Sequence, residues 1–173
     1  MSEKKVEYIL GIDPGYGRVG YGIIKKEKGK YVYVDHGCIE TFSNQTFLER
    51  LEMIHNELNK IIKIYPITYS AVEELFFYKN VKTAMAVGQA RGVILLTLRL
   101  AGLPVYEFTP LQIKQALTGY GRADKKQIEK MVEVNLGKLK KQHDDAVDAL
   151  ATAITCGATL KFSQKSGNTS GVV

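Results

Sequence analysis

The sequence contains few cysteines and no long hydrophobic run. Its two cysteines among 173 residues, Cys38 and Cys156, form no CxxC pair and are too few for a disulfide framework. We therefore expect a reduced, cytosolic protein. The longest apolar stretch, 92–100, is interrupted by Thr97 and Arg99 and is too short to span a bilayer. The short apolar run near the start is not that of a signal peptide, so we expect neither export nor a membrane span.

Internal repeats and linker-like stretches are also lacking. With 45% hydrophobic and 24% charged residues, the chain has the composition of a globular protein, and its length fits one domain of ordinary size. We expect a single domain over residues 1–162. The Ser/Gly/Asn-rich segment 163–173 is expected to be a disordered tail.

Positive charge exceeds negative charge, and the excess is concentrated in one segment. The formal net charge is +6, and residues 109–143 hold eight Lys/Arg against three Asp/Glu. Such a cluster is typical of a protein that binds a polyanion, most simply nucleic acid. A solvated surface with no partner is the alternative reading of charge alone.

The hydrophobic pattern predicts an α/β protein. An antiparallel meander of three strands is expected first, and the later segments alternate between helix and strand. Predicted strands are 6–12, 19–26, 31–39, 71–74 and 104–108, and predicted helices are 47–65, 81–101, a short one opening at Pro110, 124–136 and 144–160.

A glycine pattern follows the first strand but does not indicate a dinucleotide site. Residues 15–20 read GYGRVG, a literal match to GxGxxG. A dinucleotide site requires that the last glycine open a helix, so that the pyrophosphate meets the helix N-terminus. Here another alternating strand follows instead. What remains is Asp13, an aspartate at the end of a strand ahead of a glycine-rich turn.

Further acids are placed where they can meet Asp13. Glu73 also ends a predicted strand, so the two acids lie side by side if their strands are neighbours. In the last helix, Asp145 and Asp148 share a face, as do Asp144 and Asp148. Acids in a first helical turn favourably meet the helix dipole, which is the structural alternative for Asp144 and Asp145. Asp148 lies deeper in an apolar helix and requires a partner.

Clustered carboxylates indicate a metal site. They repel one another and raise one another's pKa unless a cation neutralises them. Oxygen ligands without a histidine or thiol cluster favour Mg²⁺ or Mn²⁺. Two such ions about 3.5–4 Å apart can activate a water and stabilise the leaving oxygen of a phosphodiester. An acidic metal site in a basic protein therefore predicts a metal-dependent nuclease.

The chain resembles the RuvC family of Holliday-junction resolvases, crossover junction endodeoxyribonucleases of the ribonuclease H-like superfamily, over roughly residues 8–157. The order and spacing of its motifs carry the resemblance. These motifs are ILGIDPG at 9–15, GYG at 20–22, GCI at 37–39, VE at 72–73, Phe76, KN at 79–80, GQARG at 88–92, QIK at 112–114, GYG at 119–121, Lys125, Gln127 and DAVDALA at 145–151.

The resemblance implies a mixed five-stranded sheet with helices on both faces and a role for each motif residue. The metal-binding catalytic acids would be Asp13, Glu73, Asp145 and Asp148. Lys114 and Lys125 would be basic residues near the scissile phosphate, and Phe76 would stack on a base at the junction. The family pattern selects Asp145 over its neighbour Asp144 and Glu73 over Glu74, and it gives His143 no place in the site.

The expected function is Mg²⁺-dependent resolution of four-way DNA junctions in recombination and repair. Mg²⁺, two ions per site, is the expected cofactor, with Mn²⁺ able to replace it, and the resemblance implies a homodimer that associates with RuvA and RuvB. One alternative is a ribonuclease H-like nuclease that acts on RNA or on other branched DNA. Another is an actin-like nucleotide-binding module, which also begins with a Gly-Ile-Asp-x-Gly strand but needs two such domains to enclose ATP.

Overall fold

A mixed five-stranded sheet forms the centre of the computed structural model, which describes residues 6–75, 81–140 and 143–166. The five strands and five helices follow the predicted order. The elements are β1 (Glu7–Asp13), β2 (Arg18–Glu27), β3 (Lys30–Glu40), α1 (Phe47–Ile64), β4 (Tyr69–Glu73), α2 (Val81–Leu100), β5 (Val105–Phe108), α3 (Pro110–Thr118), α4 (Lys125–Leu136) and α5 (Asp144–Ser166).

The strand order places β1 in the middle of the sheet. The order is β3-β2-β1-β4-β5. β1, β2 and β3 pair antiparallel, whereas β4 lies parallel to β1 and β5 lies parallel to β4. The predicted meander with two added parallel strands is therefore confirmed. Because β1 and β4 are parallel neighbours, their carboxyl ends meet at the same edge of the sheet.

Alternation along the strands divides the hydrophobic core between the two faces of the sheet. Ile9 packs in a cluster with side chains of α3, α4 and α5, whereas Leu10 packs in a second cluster with side chains of α1 and α2. Successive strand residues point to opposite faces, so Asp13 shares the side of Ile9. Ala71 of β4 lies in the same cluster as Ile9, which places Glu73 on that side as well.

Three glycines on this face let α5 lie directly on the sheet. A Cβ at Gly11 would overlap the backbone carbonyl of Ala149, and one at Gly20 would overlap that of Asp145. A Cβ at Gly22 would overlap backbone atoms of Leu150. Gly20, the last glycine of GYGRVG, therefore allows close packing of α5, a helix from the far end of the chain. It lies within β2 and does not open a helix of its own.

Side-chain caps fix the starts of α3 and α4. Thr109 accepts a hydrogen bond from the backbone N–H of Gln112, and Asp124 accepts one from that of Gln127. In both caps the side-chain oxygen of the glutamine accepts a hydrogen bond from the backbone N–H of the capping residue. α3 ends at Gly119, whose φ of 82° suits a residue without a Cβ. These caps anchor the two helices that carry Lys114 and Lys125.

The last helix is longer than the sequence predicts. α5 continues past Leu160 to Ser166, so the first residues of the predicted disordered tail are helical. Residues 167–173, the remainder of that tail, lie outside the described residues. Within the described ranges, no helix is both long and apolar enough to cross a membrane.

Candidate active site

Asp13 and Glu73 meet at the carboxyl ends of β1 and β4. Ile12 pairs with Val72 in the parallel register, so the two acids follow at neighbouring positions. Removal from water, together with the negative charges of Glu73 and the acids of α5, raises the pKa of Asp13 to about 8. Removal from water and, to a smaller extent, the charge of Asp148 raise the pKa of Glu73 to about 7. The predicted neighbourhood of these two acids is confirmed.

Asp148 approaches the strand acids from α5. Its side chain keeps 34% of its exposure. Loss of water raises its pKa; Lys125 opposes that rise, whereas Asp145 adds to it. Removal from water therefore disfavours the charged forms of Asp13, Glu73 and Asp148, and mutual repulsion strengthens the effect.

Asp145 has a cationic partner within the chain. Arg18 Nη1 donates a hydrogen bond of 3.2 Å to Asp145 Oδ2, and Arg18 Nε donates one of 2.9 Å to Glu40 Oε1. His143 Nε2 lies 3.4 Å from the same Glu40 oxygen. The side chain of His143 is thus directed to β3 rather than to the acids of the strand ends, in agreement with its exclusion from the predicted site.

Lys125 lies between two aspartates of α5. Its Nζ is 2.9 Å from Asp144 Oδ2 and 3.9 Å from Asp148 Oδ2. Burial opposes protonation of this lysine, but the hydrogen bond to Asp144 and the neighbouring carboxylates outweigh burial and raise its pKa. Asp144 therefore contacts the predicted phosphate-binding lysine.

A cleft of about 220 Å³ brings together four of the predicted site residues. Its polar lining holds two acids and two lysines, and its apolar floor comes from α3, α4 and α5. The lining residues are Glu73, Lys114, Lys125 and Asp148, with Pro110, Ile113, Ile128 and Ala151. A strip of negative charge bordered by two cations suits a phosphodiester that binds together with a metal ion.

The positions of Glu74 and Phe76 complete the comparison with the predicted site. The carboxylate of Glu74 raises the pKa of Arg91 on α2, against a larger lowering by burial, so Glu74 is directed toward the opposite side of the sheet from Glu73. The selection of Glu73 is consistent with this arrangement. Phe76 lies outside the described residues, and its role stays a prediction.

Sequence reasoning missed Arg18 and Glu40. Arg18 begins β2 and pairs with Glu40 at the end of β3, so both lie at the sheet edge where the acids collect. The hydrogen bond from Arg18 to Asp145 joins residues 127 positions apart, and no local sequence pattern predicts it. The one signal available in the sequence was the position of Arg18, a basic residue inside the glycine-rich segment 15–20.

The acids lie near one another, but they are not grouped tightly around a single metal position. Across residues 6–75, 81–140 and 143–166, no three His, Cys, Asp or Glu side chains are grouped tightly enough to hold a metal as they stand. The donor set is nevertheless all oxygen, which is what hard divalent cations prefer. The repulsion between carboxylates that contributes to their raised pKa values is what a bound cation would offset.

Comparisons with known proteins identify the family of the chain. The sequence model of the family described as crossover junction endodeoxyribonuclease RuvC matches residues 9–156. A protein of that name from Thermosipho melanesiensis is 49% identical over 156 residues, which cover 89% of this chain and 99% of the relative. One from Petrotoga mobilis is 52% identical over 151 residues, covering 86% and 92% of the two chains.

Solved structures give the same result. The structure of T. thermophilus RuvC in complex with a Holliday junction substrate superimposes with a TM-score of 0.87 at 31% identity, covering 96% of this chain and 99% of that one. The yeast mitochondrial Holliday junction resolvase Ydc2, at 11% identity and a TM-score of 0.67, shares the fold. The chain therefore belongs to the RuvC family of crossover junction endodeoxyribonucleases.

Proposed function

We propose that the protein resolves four-way (Holliday) DNA junctions during recombination and repair. It would hydrolyse one phosphodiester in each of two symmetric strands and leave nicks with a 5′-phosphate and a 3′-hydroxyl that a ligase can seal. The observation that carries the proposal is the cleft in which Glu73 and Asp148 face Lys114 and Lys125, in a chain of this family.

Mg²⁺ is the proposed cofactor, two ions per site, and Mn²⁺ is expected to replace it. Asp13, Glu73, Asp145 and Asp148 would hold the cations through carboxylate oxygens. When bound, the cations supply an activated water and charge stabilisation for the leaving oxygen. Asp13 and Glu73 would give up their protons on binding, because a cation reverses the conditions that raise their pKa.

The lysines would bring the scissile phosphate to the acids. The positive charge of Lys114 partly offsets the rise in the pKa of Glu73. That of Lys125 does the same for Asp13 and Asp148, so each lysine interacts electrostatically with acids of the site. A phosphate that enters the cleft would bind these ammonium groups and offset its own repulsion from the carboxylates. Phe76, by family resemblance, would stack on a base at the opened junction.

A homodimer would supply two active sites related by a two-fold axis, as two symmetric nicks require. One stripe of α2 is suited to a close approach between copies. Gly88 and Gly92 face open space, and Met85, Leu96 and Leu100 are exposed by 64%, 58% and 71%. By the same family resemblance, we propose that the dimer works with the branch-migration proteins RuvA and RuvB.

A cleavage assay on end-labelled synthetic junctions tests the proposal. Wild type and Asp148→Asn would be incubated with Mg²⁺ and either a four-way junction or a matched linear duplex. We expect paired nicks at symmetric positions in the junction alone, and none with the variant. The variant should bind the junction as well as wild type or more tightly, because the substitution removes a charge that repels phosphate.

Other outcomes would point to the alternatives. Cleavage of RNA or of RNA–DNA hybrids with no preference for junctions would favour a general ribonuclease H-like nuclease. Intact junctions across several core sequences and divalent ions would contradict the proposal, and ATP binding would then be measured. A folded Asp148→Asn protein that no longer binds junctions would contradict the role given to this acid.

A further inference from the structure

Asp144 is an acid that the family pattern leaves without a role, yet it forms the shorter of the two ion pairs of Lys125. Lys125 Nζ lies 2.9 Å from Asp144 Oδ2, compared with 3.9 Å from Asp148 Oδ2. The lysine is therefore hydrogen-bonded to the acid outside the predicted metal set and is only near the acid inside it.

The backbone on both sides of this contact is fixed. Lys125 is the first residue of α4, directly after the capping box formed by Asp124 and Gln127. Asp144 is the first residue of α5, whose start is held on the sheet where Asp145 meets Gly20. The beginnings of two anchored helices thus face each other across the mouth of the cleft.

The side chain of Lys125 is the longer and more flexible of the two that make this contact, and both are exposed. Half of its surface is exposed, and a four-carbon stem gives an ammonium group many positions when nothing holds it. Asp144 limits those positions to the mouth of the cleft. With Asp144 as its partner, the ammonium group lies 3.9 Å from Asp148 Oδ2, beyond hydrogen-bond distance.

We propose that Asp144 is a positioning residue for Lys125: it holds the ammonium group at the mouth of the cleft, ready to bind the scissile phosphate, and keeps it from pairing fully with Asp148. The inference rests on the proposed nuclease function. It assigns Asp144 no contact with metal or substrate, so the effect of its substitution on cleavage should pass through Lys125.

The expected effects are modest and have opposite signs. Exposed ion pairs are weak, so Asp144→Asn should slow single-turnover junction cleavage at saturating Mg²⁺ by roughly two- to five-fold. Junction affinity, measured without divalent cation, should be unchanged or tighter because a negative charge near the phosphate is lost. A folding defect would instead weaken both, and circular dichroism would detect it. Asp144→Glu should restore most of the rate.

A double-mutant cycle decides whether the effect passes through the lysine. In a Lys125→Ala background, Asp144→Asn should cause no further slowing. Equal slowing in both backgrounds would overturn the proposal, as would an unchanged rate in the otherwise wild-type protein. Loss of cleavage as complete as in Asp148→Asn would also overturn it, because Asp144 would then be a metal ligand.

A matched control comes from α1. Glu57 forms an exposed ion pair of 2.6 Å with Lys60. Glu57→Gln removes an equivalent charge far from the cleft in sequence and should leave cleavage unchanged. Wild type that fails to cut junctions would contradict the proposed function itself. Active wild type with an unaffected Asp144→Asn variant would contradict this inference alone.

Discussion

The acids carried by the strands and the acids at the start of α5 are held in opposite ways. Asp13 and Glu73 are half-buried at the sheet edge, and neither forms an ion pair with another described residue. Asp145 instead bonds to Arg18, a cation of its own chain. The repulsion among the strand acids is only partly offset by the nearby lysines, whereas the acids in the first turn of α5 are paired with cations of the same chain.

Because of this difference, we expect the strand acids and the acids at the start of α5 to have different roles in the site. The strand acids have raised pKa values, so the cations that we propose would displace protons from them on binding, and their affinity would depend on pH. The acids at the start of α5 organise the neighbouring cations. Asp148 lies between the two groups, since it is half-buried like the first and near Lys125 like the second.

The largest expected effect is on the pH dependence of metal binding. Below pH 7 both Asp13 and Glu73 hold a proton that a cation must displace. Each displaced proton makes the affinity rise about tenfold for each pH unit. We therefore expect Mn²⁺ affinity, measured by calorimetry, to increase steeply from pH 6 to pH 8. Asp13→Asn should flatten this rise, and Asp145→Asn should preserve it. Equal flattening in both variants would contradict the division between the two groups.

Much of this division could be predicted from the sequence. Period-two alternation and the strand endings brought Asp13 and Glu73 to one edge, and i, i+3 spacing placed Asp145 with Asp148 on one face of a helix. Family resemblance then chose among neighbouring acids. The structure brings these acids together with both lysines, as predicted.

The partners of the α5 acids could not be predicted, because they depend on tertiary contacts between distant segments. Glycines in β1 and β2 allow α5 to approach the sheet, and this approach brings Asp145 to Arg18. A glycine pattern alone does not reveal whether it serves a phosphate, a turn or a packed helix. The length of α5 was underestimated because its polar C-terminal sequence lacks apolar periodicity.

An intermediate effect is expected on the stability of the metal-free protein. The folded pKa of Asp13, about 8, lies above its ordinary value of 3.8. The folded state therefore holds a proton that the unfolded state loses, and this acid lowers stability as pH rises from about 4 to about 8. Asp13→Asn should raise the free energy of unfolding at pH 8 in EDTA by at least about 1 kcal/mol, the value of less than one pKa unit.

That gain should disappear near pH 4, where the carboxyl of Asp13 is protonated in the folded state and increasingly in the unfolded state. Comparing the variant with wild type at each pH cancels the contributions of other titrating groups. Asp145→Asn serves as the comparison: losing the Arg18 bond opposes the relief of repulsion on Asp13, so little net change is expected. Denaturant unfolding in EDTA measures all three proteins. A gain of equal size at pH 4 would show that Asp13 acts through packing rather than charge.

The smallest expected effect comes from Arg18, because its contacts to Asp145 and Glu40 are largely exposed. Arg18→Ala should lower thermal stability slightly at low ionic strength, and the difference from wild type should vanish in 1 M salt, where exposed charges are screened. Lys25→Ala on the same strand removes a partly exposed pair of 2.8 Å with Glu27 and provides the control. Arg18 joins three elements, β2, β3 and α5, whereas Lys25 pairs within β2. A larger salt-sensitive loss of thermal stability in Arg18→Ala than in Lys25→Ala would therefore show that Arg18 holds the start of α5 at the sheet edge. Equal losses in the two variants would mean that Arg18 contributes no more than an ordinary surface cation.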